Sequence, residues 1–338
     1  MQSSTESERR SGDRNDASPT PVFLTVDVEM WPPSWDAPPE AFVDAFKRYL
    51  LGVGARRDFG LPFQLKVLKE HRIPAVWFVE PLFAAVLGKQ ALADVVGIIL
   101  EADGDIQLHV HPEWIGRAGP ASLPGRPVTR MYDLSLDRQL DVIRVALEWL
   151  NEAGAPAITA FRAGSFSADP TTLEAVRQAG LLYDFSVNAA AAATAPSLLQ
   201  RVADEGTNLD GVLEIPLTTY RDGFGRLRGL QVGSSGASEA SDVMKQARSG
   251  GHPAVVILSH SAELLNSARS KVDAIARRRF ERLCFQLAEG REHVATDVRQ
   301  FDGFDSLKVE GHRNLPTLRS SHTSTLVRYS EQLVRRLL

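Results

Sequence analysis

From Pro21 the chain opens on a β-branched apolar run, PVFLTVDVE, and the same texture returns in IPAVWFVE from Ile73, DIQLHVHPEW from Asp105, AITAFRAGSF from Ala157, LLYDFSV from Leu181, GVLEIPLTTY from Gly211 and AVVILSH from Ala254. Short apolar runs of this kind predict strands buried on both faces, as in a parallel sheet. Stretches with helical spacing separate them: Phe63 to His71, Gln90 to Ala102, Leu136 to Ala153, a short helix opened by Pro170 and ended by Gly180, Ser238 to Ser249, and Lys271 to Glu289. The clearest is Leu136 to Ala153, where Leu140, Ile143, Val145, Ala146, Leu147 and Leu150 form one stripe. Alternation of strand and helix on this scale predicts an α/β fold, either a barrel or an open doubly wound sheet with helices outside.

Two stretches break the alternation, AGPASLPGRPVTRMY from Ala118 and SSGASEAS from Ser234, and both are expected to be mobile surface loops of the kind that form substrate lids. Residues 1–20 are Ser, Thr, Asp, Glu, Arg and Pro with little to bury, which predicts a disordered tail. One folded unit is expected over residues 21–303. A polar tail over 304–338 follows and ends in STLVRYSEQLVRRLL, a short amphipathic helix expected to dock on the domain or on a partner.

Composition narrows the function. Lys and Arg total 38 against 42 Asp and Glu in 338 residues, a formal charge of −4, so no global positive field exists to hold nucleic acid or an anionic membrane. No apolar stretch approaches the roughly 18–20 residues that span a bilayer. The N-terminal residues lack the apolar segment of a secretory signal, so a cytoplasmic location is expected. Cys284 is the single cysteine, which excludes an internal disulfide and CxxC zinc sites. Any metal must be held by His and carboxylate.

In parallel α/β folds ligands meet the carboxyl ends of the strands. The first strand ends in Asp27-Val28-Glu29, and strand alternation points both carboxylates the same way. Two carboxylates there are costly unless a cation or a shared task holds them. The third strand ends in His109-Val110-His111-Pro112-Glu113-Trp114, with both imidazoles on one face. Such a pair can present two nitrogens to one ion, a geometry that suits zinc at about 2.0–2.1 Å. Two His and a carboxylate also fit a non-haem Fe(II) facial triad. Arg162 ends the fourth strand, where it can hold an Asp ionised, and Asp184 on the fifth can pair with that Arg or with a histidine. His260 closes the seventh. The remaining histidines, His71, His252, His293, His312 and His322, fall in helices, loops or the tail and receive no role.

These pieces, in this order, resemble the polysaccharide deacetylases of the NodB-homology type, carbohydrate esterase family 4. Thr25-Val26-Asp27-Val28-Glu29 resembles the first motif of that family, Leu108-His109-Val110-His111-Pro112-Glu113-Trp114 its histidine motif, Phe161-Arg162-Ala163-Gly164 its arginine motif, Tyr183-Asp184-Phe185-Ser186-Val187 its fourth motif, and Leu258-Ser259-His260 its final histidine motif. The resemblance runs from about Pro21 to His260 and somewhat beyond. It implies a distorted (β/α)7 barrel and metal-dependent removal of an N-acetyl group from a sugar or polysaccharide. It further implies a divalent metal, with Zn2+ expected, on Glu29, His109 and His111; Asp27 as base, held by Arg162; and His260 as acid, with Asp184 supporting it or Arg162. Backbone N–H groups near Ala163 to Ser165 are expected to help stabilise the oxyanion. Trp114, Phe166 and Tyr220 are expected to offer faces to a sugar ring. The chain departs from the family where Val28 separates the two carboxylates and where the histidines stand two apart rather than four. Glu113 is therefore an alternative ligand to His111, and Asp27 and Glu29 can exchange roles. A non-sugar amide substrate and a catalytically inactive carbohydrate-binding homologue are the alternative functions. Nothing in the sequence sets the oligomeric state.

Overall fold

The computed structural model describes residues 19–53, 59–117, 123, 125–205, 207–290, 292–302 and 315–337. Most of the expected N-terminal tail, the start of the expected lid from Ala118 (118–122 and 124), and the polar stretch 303–314 lie outside the described residues. The strands are β1 (Thr20–Val28), β2 (Val76–Val79), β3 (Asp105–Val110), β4 (Ala160–Ala163), β5 (Tyr183–Asp184), β6 (Asn208–Leu209), β7 (Val212–Glu214), β8 (Thr219–Arg221), β9 (Leu227–Gly229), β10 (Val255–His260) and β11 (His293–Thr296). The helices are α1 (Pro39–Phe46), α2 (Leu61–His71), α3 (Ala84–Leu87), α4 (Lys89–Glu101), α5 (Leu136–Glu152), α6 (Pro170–Gln178), α7 (Pro196–Glu205), α8 (Ala237–Ser249), α9 (Ala274–Ala288) and α10 (His322–Leu337).

The main sheet runs β10-β1-β2-β3-β4-β5-β7-β6, with β11 paired to the start of β1, and every pairing is parallel except β6 against β7. Parallel neighbours need long crossovers, and α2, α4, α5, α6, α8 and α9 supply or adjoin them. The sheet curls into the distorted α/β barrel expected from the sequence. Its closure is irregular: Leu217 N–H donates to Val187 O at 2.9 Å and Thr218 N–H to Val256 O at 3.3 Å, with no ladder from β7 to β10. Pro216 is the reason. It has no N–H to give, so the run GVLEIPLTTY, read as one strand, splits into β7 and β8.

Alternation along each strand sorts the residues into two cores. Phe23, Val76, Phe78, Ala160, Phe185, Leu213, Val256 and Leu258 fill the barrel, while Val22, Leu24, Val26, Ile106, Leu108, Phe161 and Ile257 meet the helices. On the same inward period, Asp27, His109, Arg162 and His260 follow at the carboxyl ends of β1, β3, β4 and β10.

The stretch from Ser234 is not a mobile lid. Ser235 is buried and accepts hydrogen bonds from the Tyr220 hydroxyl and Gln231 N–H, and Gly236 N–H donates to the buried Glu239 carboxylate at the start of α8. The small polar residues that resembled a loop form the cap of a helix. Helix α10 docks with its polar side inward. Arg328 is buried between Asp222 (2.9 Å) and Glu239 (2.8 Å), and Thr325 donates to Glu239 at 2.8 Å, while Leu326, Val327, Leu333 and Val334 face outward. Among the described residues no helix is long and apolar enough to cross a membrane.

Candidate metal centre and catalytic cleft

Glu29, His109 and His111 offer ligand atoms that all lie within 4.8 Å of one another. Glu29 Oε2 stands 3.2 Å from His109 Nε2 and 2.7 Å from His111 Nε2. The other nitrogen of each ring is anchored: His109 Nδ1 lies 2.9 Å from the Arg162 carbonyl, and His111 Nδ1 lies 3.2 Å from Glu113 Oε2. A carbonyl can only accept, so His109 Nδ1 donates to it, which fixes the ring with Nε2 turned toward Glu29. Oriented imidazoles backed by carbonyl or carboxylate are the usual support of a metal site. Glu113 thus stands behind His111, outside the three-residue cluster.

The charges fit a divalent cation. Burial works against the Glu29 carboxylate, but His111 and His109 outweigh it and hold its pKa well below the usual range. Burial likewise opposes the His111 cation, yet Glu29 and Glu113 push its pKa up to about 10. Asp27, Glu29 and Glu113 thus gather three carboxyl groups around the two imidazoles and Arg162. A divalent cation held by Glu29 Oε2 and the two Nε2 atoms would offset this gathering of carboxyl groups. Buried Glu80, at the end of β2, does not add to the count: burial raises its pKa to about 8, so it is neutral at pH 7, and it holds the Leu82 and Phe83 amides.

Arg162 is fully buried and donates to Asp27 Oδ1 at 2.6 Å, Thr25 Oγ1 at 3.0 Å and Phe185 O at 3.2 Å, with its guanidinium 4.2 Å from the Phe78 ring centre. Asp27 Oδ2 lies 3.9 Å from His109 Nε2. On the other side His260 Nδ1 lies 2.7 Å from Glu263 Oε2, which also accepts from Gln231 Nε2 at 3.0 Å. Burial disfavours the His260 cation, but Glu263, with Glu29 and Asp27, raises its pKa to about 9. Its side chain remains 29% exposed. Glu29, Trp31, Tyr49, Gln231, His260, Glu263, Arg269 and Arg335 line one open cleft of about 350 Å³, within the usual range for small-molecule sites.

Backbone geometry supports this arrangement. A Cβ on Gly164 would lie 2.4 Å from His111 Nδ1, so only glycine lets the β4 turn pass under that ring. Ser165 and Phe166 follow at φ 54° and 58°, two consecutive left-handed residues of the strained kind that cluster at functional sites.

Four expectations from the sequence are corrected. Asp184 reaches neither Arg162 nor His260 by hydrogen bond. It accepts from Ser186 Oγ at 2.5 Å and faces its register partner Glu214, and burial raises the pKa of both carboxyls. Ala163 N–H is committed to Ser186 Oγ at 2.8 Å and is not an oxyanion donor. Trp114 is 1% exposed, because the 3-10 turn Pro112–Trp114 swings it inward against Trp35 and Phe42. Tyr220 is buried and bonded to Ser235 and Glu239, while Phe166 is half-buried against the barrel interior. The aromatic residues that line the cleft are Tyr49 and Trp31, the latter with its ring centre 4.6 Å from that of His111 and its Nε1 donating to Glu29 Oε1 at 3.2 Å. The sequence signal of Trp31 was EMWPPSW directly after β1, and that of Glu263 was its place three residues past His260.

No family model matches the chain, and no curated protein matches it. Solved structures do. A Mycobacterium smegmatis protein described as a polysaccharide deacetylase aligns with a TM-score of 0.52 at 13% identity, over 90% of this chain and 94% of its own. A family 4 carbohydrate esterase from Streptomyces lividans aligns at 0.42 and 14%, over 82% and 93%. A family 4 pseudoenzyme from Bacillus anthracis aligns at 0.42 and 13%, over 90% and 74%. The chain shares the curled α/β barrel fold of the Mycobacterium smegmatis polysaccharide deacetylase. At this identity the likeness concerns fold, and activity has to be argued from the site.

Proposed function

We propose that the protein is a metal-dependent hydrolase that removes the N-acetyl group from an acetylated sugar or polysaccharide, with residues 21–303 as its catalytic domain. One observation carries the reading: the Glu29, His109 and His111 cluster, an Asp27–Arg162 pair and a His260–Glu263 pair come together at one end of the barrel. Glu29 Oε2 and the Nε2 atoms of His109 and His111 would hold the metal, Zn2+ by the preference of this donor set. When bound, the ion supplies Lewis-acid polarisation of the acetyl oxygen and of the attacking water.

The protein groups do the rest. Arg162 occupies Asp27 Oδ1 and leaves Oδ2 to take the water proton. Glu263 occupies His260 Nδ1, so Nε2 gives its proton to the departing nitrogen, without which an amine is a poor leaving group. Asp184 acts at one remove, through Ser186 to the Ala163 amide, holding the end of β4 on which Arg162 sits. Trp31 and Tyr49 offer faces to the sugar.

Metal content of the purified protein, followed by acetate release from a panel of N-acetyl sugars and simple N-acetyl amides, tests the proposal, with His109→Ala as control. Bound zinc and acetate release that the substitution abolishes are expected. Activity that survives His109→Ala would sink the mechanism.

A further inference from the structure

The cleft beside the reacting centre contains two arginines that the hydrolytic chemistry does not use. Arg335, from α10, has its Nε 2.5 Å from Asp273 Oδ2 and its Nη1 2.6 Å from Gly233 O, so its charge is balanced. Arg269 is different. Its Nη1 donates to Asn266 O at 3.0 Å and its guanidinium lies 5.1 Å from the Tyr49 ring centre, but its Nε is buried with no hydrogen-bond partner, and among the described residues no carboxylate lies within 4.0 Å of it. The acidic groups of the cleft are already committed. Glu29 faces the two imidazoles, Asp273 is held by Arg335, and Glu263 is held by His260 and Gln231 and feels Arg269 only beyond ion-pair contact.

The loop presenting Arg269 is built rather than loose. Asn266 Oδ1 accepts the Ser270 and Lys271 amides at 3.0 and 3.2 Å, and Arg269 itself sits at φ 54°. A guanidinium stacked on an aromatic ring, in direct contact with no carboxylate among the described residues and lining a small-molecule cleft, is suited to a planar or tetrahedral oxyanion.

We propose that Arg269 forms an anion-binding subsite, so that the N-acetyl sugar accepted by this cleft carries a carboxylate or phosphate group. The inference rests on the deacetylase reading and adds the substrate's charge class to it. Arg335, at the same rim, bounds the subsite from α10 and ties the C-terminal helix to substrate recognition.

Binding to the full zinc-loaded chain, measured calorimetrically, decides the matter with three probes: neutral N-acetylglucosamine, N-acetylglucosamine 1-phosphate and N-acetylmuramic acid. At least one anionic probe should bind about tenfold tighter than the neutral one, as a charge-assisted contact of this exposure provides. That preference should shrink as salt rises. Arg269→Gln should bring the ratio of affinities close to one, and Arg269→Lys should restore part of it. The phosphate and carboxylate arms separate the two kinds of anion. Equal affinities for all three probes in the unsubstituted protein, or a preference that persists in Arg269→Gln, would overturn the subsite. Acetate release without anion preference would leave the deacetylase standing and remove only the subsite. Anion preference without acetate release from any probe would do the reverse.

Discussion

Asp27 on β1 and His260 on β10 are register partners of neighbouring parallel strands. The proposed base and acid therefore stand side by side at one level of the barrel, with His109 and Arg162 paired in the same way on β3 and β4. Two strand pairings, rather than loops, set the spacing of the reacting groups.

This placement separates the two carboxylates of the first motif by function. Glu29→Ala should lose zinc on dialysis, since it removes the oxygen between the two imidazoles. Asp27→Asn should retain zinc and lose about 10²–10⁴-fold in turnover, the usual worth of a general base. Metal analysis beside acetate release reads both. Zinc lost from Asp27→Asn and kept by Glu29→Ala would reverse the assignment.

The acid should show in the pH profile. With its pKa raised to about 9, His260 is protonated at neutral pH and loses that proton as pH rises, so activity should fall on the alkaline side near 9. Glu263→Gln removes the carboxylate that sustains the cation, and the alkaline limb should move toward the ordinary histidine range near 6.5. Stability follows the same sign. The His260–Glu263 contribution is complete below about 6.5 and is lost as pH climbs through about 9, and Glu263→Gln should flatten that dependence.

Gly164 offers a test through packing. In Gly164→Ala the added methyl meets the His111 ring at 2.4 Å, so the imidazole must turn away from Glu29. Zinc affinity should fall about 10–100-fold, as when ligand orientation is disturbed. Far-ultraviolet circular dichroism should stay unchanged, since the contact is local. Undiminished zinc affinity would show that the ring has room to yield.

Helix α10 should be an integral strut. Arg328→Met leaves Asp222 and Glu239 buried and opposed, which should cost about 3–5 kcal/mol, the loss expected when one member of a buried ion pair is removed. Urea denaturation reads this, and a loss under 1 kcal/mol would mean that α10 docks by other contacts.

Much of this architecture was legible in the chain. Apolar runs and helical stripes give the barrel strands and most outer helices, because period is a local property. The same alternation showed that Asp27 with Glu29, and His109 with His111, share a face. Trp114 was misread because Pro112 ends strand alternation and starts a tight turn that reverses the expected direction of the side chain. Asp184 was misread because its partner, Glu214, lies on another strand with no signal in sequence that the two meet.

By itself, then, the sequence determined the order of strands and helices and the residue types at the strand ends, since both follow from short-range steric and hydrophobic pattern. Only the tertiary structure decided which groups pair: Arg162 with Asp27 across 135 positions, Glu113 behind His111, Glu263 on His260, and Arg269 with no carboxylate in ion-pair contact among the described residues. The physical reason is that ionisation and hydrogen bonding depend on desolvation and on neighbours brought in from distant segments, and a linear pattern records neither.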